Sequence, residues 1–380
     1  MKKVSFTLET VTPLFLGGAD PRGRPELRAA SVRGALRFWL RALLGGIIGD
    51  NDLDALRQAE SAVFGSTDTG ASPVVVRVWH GSLRTQSFSE LAANRAGVCY
   101  LYFAARGTRR EAERCAIVAE SSFKLLLNVR AGVSELDNMA LQRAYAALWL
   151  LTHLGGLGAR SRRGAGSLQA TQAPGEPTNL PSLIVRATTP DELQKELADG
   201  LRCLRQLVST TSPGSINTPS AFDVLHPNVC KVWVVNRSFN SWEEALDTIG
   251  QVMQQFRCRY PSDYANVKAA VQGRGLNQPV QRAAFGLPIV FYYRSLGGQR
   301  GTLEGERHDR RASPLMMRVA KLTNGRCTVV LTLFQAQLLS HGEQLQLQHA
   351  TVNPPDLTII HDFLNDLDSK VARRLEVTGW

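Results

Sequence analysis

From Val4 to Val11 apolar and polar residues alternate in VSFTLETV, the period of a half-buried strand, and Pro13 closes the run. The period then changes. In SVRGALRFWLRALLG the apolar positions Val32, Leu36, Trp39, Leu40 and Leu43 recur every three or four residues, which predicts a helix capped by Ser31 and stopped by Gly45. SPVVVRVWHGSLR and GVCYLYFAARG, rich in β-branched and aromatic residues, predict two strands. Helical patterns follow over 109–128 and 138–154, and a last strand is expected at SLQATQ. The order βαββαβ is the ferredoxin-like plan.

QAPGEPTNLP has the prolines and glycine of a linker, and divides the chain into 1–178 and 179–380. Beyond it LPSLIVRAT, VCKVWVVNRSF and LPIVFYYRS read as strands, and DELQKELADGLRCLRQL and SWEEALDTIGQVMQQFRCRY as helices. Asn324-Gly325 is a hairpin turn between the apolar runs of LMMRVAKLTNGRCTVVLTLFQAQLL, and 356–375 is helical. The second half is therefore also α+β.

A chain of 380 residues with 44% apolar composition suffices for two cores. Lysine and arginine number 44 against 33 acids, a net charge of +11 carried mostly by arginine, which points to polyanions met through bidentate phosphate contacts. The six cysteines form no C-x-x-C pair and the seven histidines fall at no ligand spacing with them, so neither a zinc site nor any other cofactor is expected. MKKVSFTLET has no signal-peptide apolar core and no apolar run reaches spanning length, so the expected location is the cytoplasm, away from membranes.

Two stretches carry candidate chemistry. GGLGARSRRGAGSLQ (155–169) lets a ligand approach its glycines, while Arg160, Arg162 and Arg163 offer planar donors to an anion. It lacks the Lys-Ser/Thr ending of a nucleotide P-loop, and its alternative is a solvated surface turn. PRGRPELRAASVRGALRFWLRALLGG places Arg22, Arg24 and Arg28 ahead of a helix carrying Arg33, Arg37 and Arg41 at i, i+4 and i+8, an arginine ridge along one side. Glu26 is the one acid between Arg22 and Arg41, whereas a merely solvated face interleaves both signs. Phe38 and Trp39 are expected in the core, and of Tyr292 and Tyr293 at most one faces out.

TPLFLGGAD, ELRAASVRGALRFWLRAL, AESAVFGS, GGLGARSRRGAGSL, YPSDYANVK, FGLP and RRASPL resemble, in that order, the landmarks of the RAMP superfamily. Within it they are similar to the family of first Cmr subunits of type III-B CRISPR effector complexes. The chain departs at Ala30, where proline is expected, and at Leu40, where a second tryptophan is frequent. The resemblance implies tandem ferredoxin-like (RRM-like) domains with RNA tracked along a basic cleft between them. It also implies a non-catalytic subunit in antiviral defence, partnered by CRISPR guide RNA, single-stranded target RNA and other Cmr subunits, at the guide 3′ end. On that basis the expected RNA contacts are Arg28, Arg33, Arg37 and Arg41, the exposed loop of Gly158, Arg160, Ser161, Arg162, Arg163, Gly164 and Gly166, and Arg310 and Arg311 in the second half. Gly155 and Gly156 are expected to end the preceding helix.

The alternative is an endoribonuclease. Related RAMP subunits cut RNA with an aspartate after the first strand, where Asp20 stands, and others use a histidine, for which His153 is nearest the loop. Asp20 lies beside Arg22 and Arg24, and His153 sits in an apolar helix, so binding is preferred to catalysis.

Overall fold

The alternation that opens the chain forms strand β1 (Lys3–Thr10), with Val4, Phe6 and Leu8 buried on one face. The computed structural model describes residues 3–109, 111–130, 135–209, 213–259 and 261–380. After β1 come α1 (Ala29–Ile48), α2 (Leu53–Phe64), β2 (Val74–Trp79), β3 (Thr85–Ser87), α3 (Phe88–Ala92), α4 (Ala96–Leu101), β4 (Cys115–Ile117), β5 (Ser122–Val129), α5 (Glu135–His153) and β6 (Leu168–Gln172). The order β2-β5-β1-β6 is antiparallel throughout, the ferredoxin-like arrangement, with α1 and α5 on its buried face.

The second half repeats it. The elements are α6 (Pro190–Val208), β7 (Cys230–Val235), α7 (Trp242–Cys258), α8 (Pro261–Val271), β8 (Ile289–Tyr293), β9 (Gln299–Gly305), β10 (Leu315–Lys321), β11 (Cys327–Phe334), β12 (Leu345–Leu347), β13 (Ala350–Val352), α9 (Thr358–Lys370) and β14 (Arg374–Glu376). The sheet β10-β11-β7-β14 has the same order as the first, and a small sheet β13-β12-β9-β8 with its own core is inserted around it. Every residue of β11 is buried. One face of its sheet meets α7 and α9 through Val329, Leu331 and Leu333, while Val232, Val234 and Val330 join the core of α6 and the first half. A strand covered on both sides reads as a continuous apolar run, as CTVVLTLF does.

Several expectations are corrected. GVCYLYFAARG is α4 followed by a 3-10 turn over Phe103–Ala105; Val98, Leu101, Tyr102 and Ala105 are buried at helical spacing against α7, which overrides the β-propensity of the residues. The stretch 109–128 holds β4 and β5, where Phe123, Leu125 and Leu127 alternate as buried positions; Arg110 of that stretch, and Tyr260 at the end of the expected helix over 241–260, lie outside the described residues. LPSLIVRAT joins no sheet. Helix α1 starts after Arg28, without a side-chain cap, and runs past Gly45 to Ile48. Another segment crosses closely over Gly45 and Gly46, the Leu225 N–H donating to Ala42 O at 2.8 Å.

Candidate nucleic-acid interface

The glycine-arginine loop folds onto the segment after β1. Thr12 Oγ1 donates to Gly164 O at 2.7 Å and accepts from the Ser167 N–H at 2.9 Å, while the N–H groups of Gly166 and Ala159 reach Pro13 O at 2.9 Å and Phe15 O at 2.8 Å. Gly158 (φ +84°) and Gly166 (φ +63°) lie in the left-handed region with a carbonyl where a Cβ would stand, Phe15 O and Leu157 O respectively, so glycine is required twice over.

The three arginines are not on an exposed loop. Arg160 Nε donates to Leu101 O at 2.8 Å, Arg162 to Ser313 O at 2.5 Å and Asp223 Oδ2 at 2.6 Å, and Arg163, buried, to Phe285 O at 2.9 Å. Burial, reinforced by Arg160 and Arg257, pushes the Arg163 guanidinium down to about 9. A guanidinium fork satisfies carbonyls that are distant in sequence, and here it ties the loop to the second half. Arg311 joins the same tie, 2.9 Å from Asp223 Oδ1. Burial alone would raise the Asp223 carboxyl; Arg162 and Arg311 hold it below the ordinary aspartate value. Arg310 stands exposed.

The helical ridge also finds an acid that its own stretch lacked. Arg37 pairs with Glu60 of α2 and donates to Gly65 O at 2.8 Å, Arg41 lies 3.6 Å from the same buried carboxylate, and Arg33 is exposed with no partner among the described residues. At roughly 100° per residue, Arg33, Arg37 and Arg41 share the side of α1 turned to α2. Ser31, Ala35 and Phe38 occupy the opposite side, which the sequence reading did not single out. They face Gly156, Gly158 and Ser161 across an open groove of about 420 Å³. Phe38, expected in the core, is half-buried there with the Arg162 guanidinium 5.3 Å above its ring. Trp39 is in the core as expected. Gly17 lines the groove too, and the exposed Arg28 donates to its carbonyl at 3.2 Å, at the rim. The N–H groups of Gly156 and Gly158 have no acceptor among the described residues. Small side chains, free amides, an aromatic face and a rim cation are what a phosphodiester strand requires.

The two catalytic candidates lie elsewhere. Asp20 Oδ1 accepts the Arg22 backbone N–H at 2.9 Å in an exposed turn, while the Arg22 guanidinium pairs with Glu111 at 2.5 Å. His153 is buried, its Nδ1 2.9 Å from Trp149 O and its ring stacked on Trp149 at 4.1 Å. Burial first, and then Arg318, push its imidazole down to about 3, so it is neutral and has no route to a strand in the groove. Among the described residues no group of three or more His, Cys, Asp or Glu side chains could hold a metal ion, and no helix is long and apolar enough to cross a membrane.

A double ferredoxin-like fold with a glycine-rich loop between α5 and β6 defines a class, and residues 7–169 match the RAMP superfamily model. The chain belongs to the RAMP superfamily, in its family of first Cmr subunits. It is 36% identical over 181 residues to the CRISPR system Cmr subunit Cmr1-2 of Pyrococcus furiosus, covering 44% of this chain and 95% of that protein. To Cmr subunit Cmr1-1 of the same organism it is 26% identical over 389 aligned positions, covering 99% and 98%. The crystal structure of apo Cmr1 from P. furiosus superposes with a TM-score of 0.65 at 23% identity, over 100% of both chains. A chain of a type III-B Cmr-β complex bound to cognate target RNA superposes at 0.58 and 12% identity, over 98% of this chain and 100% of that one.

Proposed function

We propose that this protein is an RNA-binding, non-catalytic subunit of a type III-B Cmr ribonucleoprotein, working in the cytoplasm and holding guide and target RNA near the guide 3′ end beside other Cmr subunits. The observation that carries the reading is the groove between Ser31, Ala35 and Phe38 of α1 and the Gly156–Ser161 loop, with Arg28 at its rim and unpaired amides on its wall. The names of the relatives and the RNA-bound complex support it. In this reading the backbone passes through the groove, Phe38 offers one stacking face, and Arg28, with Arg33 and Arg310 as outlying cations, supplies charge. Arg160, Arg162, Arg163 and Arg311 hold the loop in shape and do not themselves grip phosphate. The division at 178/179 belongs to the same proposal, falling in the irregular stretch between β6 and α6. Photo-cross-linking in the assembled complex tests it: cross-links are expected in the peptides bearing Phe38 and Gly156–Ser161. Cross-links confined to the α2 side of α1 would overturn the groove.

A further inference from the structure

On the other side of the loop lies a second cavity of about 520 Å³, between α4, α7 and the 3-10 turn after α4. Arg106, Arg160, Arg163 and Arg257 line it, with Tyr100 and Phe103 among its apolar walls, and no acidic side chain lines it among the described residues. Four guanidiniums brought together without a carboxylate repel one another, and a buried charge without a counterion is costly. Arg163 is 7% exposed; one of its terminal nitrogens donates to Phe285 O while Nη1 has no partner among the described residues. Arg257 Nε is likewise buried and unpartnered among them, with its guanidinium 6.0 Å above the Tyr100 ring and 5.6 Å above that of Phe285. Neither Arg106, which is exposed, nor Arg257 has an acidic partner among the described residues, and guanidiniums at a cavity wall are met by an acceptor from outside. An exposed apolar ring, Phe103, stands at the same cavity. Its volume falls within the roughly 300–1,000 Å³ of small-molecule sites.

We propose that this cavity binds a nucleotide, its phosphate taken by Arg257 and Arg106 and its base laid against Tyr100 and Phe103. Cation, phosphate and aromatic face are complementary in that order. The nucleotide comes either from solution or from a strand that turns one residue out of its path. The site stands apart from the groove, because the two lie on opposite sides of the 161–163 turn and share no lining residue.

Cys99 lines the cavity and reports on it. The full chain is exposed to an alkylating reagent in the presence of adenosine monophosphate, a six-nucleotide single-stranded RNA or inorganic phosphate, and Cys99 is followed by peptide mass spectrometry with Cys203 as the internal control. Protection of Cys99 by the monophosphate identifies a free nucleotide as the source, and protection by the hexamer alone identifies a strand; either supports the site. Arg257→Leu should weaken that protection about ten-fold, one charge-assisted contact. Ala104→Trp, which fills the mouth and leaves the arginines intact, should abolish it. No protection of the unaltered chain by either nucleotide probe at millimolar concentration, or protection by inorganic phosphate alone, overturns the assignment. Closing the groove with Ala35→Trp leaves Cys99 protection by the monophosphate in place, so the two readings fail separately.

Discussion

Arg162 Nη2 lies 2.6 Å from Asp223 Oδ2, joining residues 61 positions apart. The other oxygen of the same buried carboxylate takes Arg311 at 2.9 Å, so one acid from the second half neutralises a cation of the glycine-rich loop and a cation of the strand-entry segment before β10. This carboxylate, more than the glycines, keeps the loop and the second half in register.

Asp223→Ala is therefore expected to be severe. It leaves two guanidiniums facing each other with their shared counterion gone, and breaking such a pair costs about 3–5 kcal/mol. Urea unfolding of the variant against the parent measures it; a loss below about 1 kcal/mol would reduce the tie to a surface pair. The Arg160, Arg162, Arg163 triple alanine variant should unfold more readily still.

Stability should decline in mild acid, and His153 sets the window. Its folded value, depressed to about 3, lies below the unfolded value of 6.5, so between these the unfolded chain binds a proton that the native one refuses. The contribution is complete above pH 6.5 and drains as pH falls, by about 1.4 kcal/mol per unit. Unfolding free energies at pH 7 and pH 5 should differ by about 2 kcal/mol from this group alone. His153→Gln should remove that part of the slope. The depressed Asp223 carboxyl adds its own loss only at lower pH, as pH falls through a folded value below 3.8.

RNA affinity should respond to the groove side of α1. Ala35→Trp places an indole where the strand is expected and should weaken binding about ten-fold or more, with melting temperature little changed because Ala35 is half-exposed. Arg28→Ala should lower the logarithmic salt slope by about one. Arg41→Ala, on the α2 side, should leave affinity nearly intact. Filter binding across a salt series distinguishes these patterns, and a larger effect at Arg41 than at Ala35 would place the strand on the ridge.

Asp20→Asn in a reconstituted complex should leave target cleavage within about two-fold, where loss of a proton-transfer group costs roughly 10²–10⁴-fold. The aspartate accepts one backbone N–H in an exposed turn, and asparagine can accept the same bond. Single-turnover cleavage rates settle it.

The sequence announced β1, α1, β2, α5, β6 and the glycine-rich loop, because periodicity and left-handed turns are local properties, but it placed β5 inside a helix. It misassigned α4, where Val98, Leu101 and Tyr102 look like strand residues until the α7 surface beneath them is known. The glycine-rich loop was legible in position, but the internal partners of its arginines were not. Arg160 to Arg163 were found, but Leu101, Asp223 and Phe285, which engage them, lie 59 to 122 residues away and carry no signal in a local window. Glu60, the partner of Arg37 and Arg41, is hidden from a local window in the same manner. Ala35 went unnoticed, and Ser31 was read as a helix cap, since small residues mark a groove by what they leave empty.

The sheet β10-β11-β7-β14, covered on both faces, alters how RNA can be read. In RRM domains the open face of a four-stranded sheet displays rings on which bases stack. Here α6 and the first half occupy that face, and the chain acts as its own permanent ligand there. What the proposed groove offers a strand is loop amides, a rim cation and one ring, features that follow the sugar-phosphate thread and ignore its letters. On the proposed function, a protein built in this way holds any RNA text equally well in that groove, and leaves the spelling to base pairing.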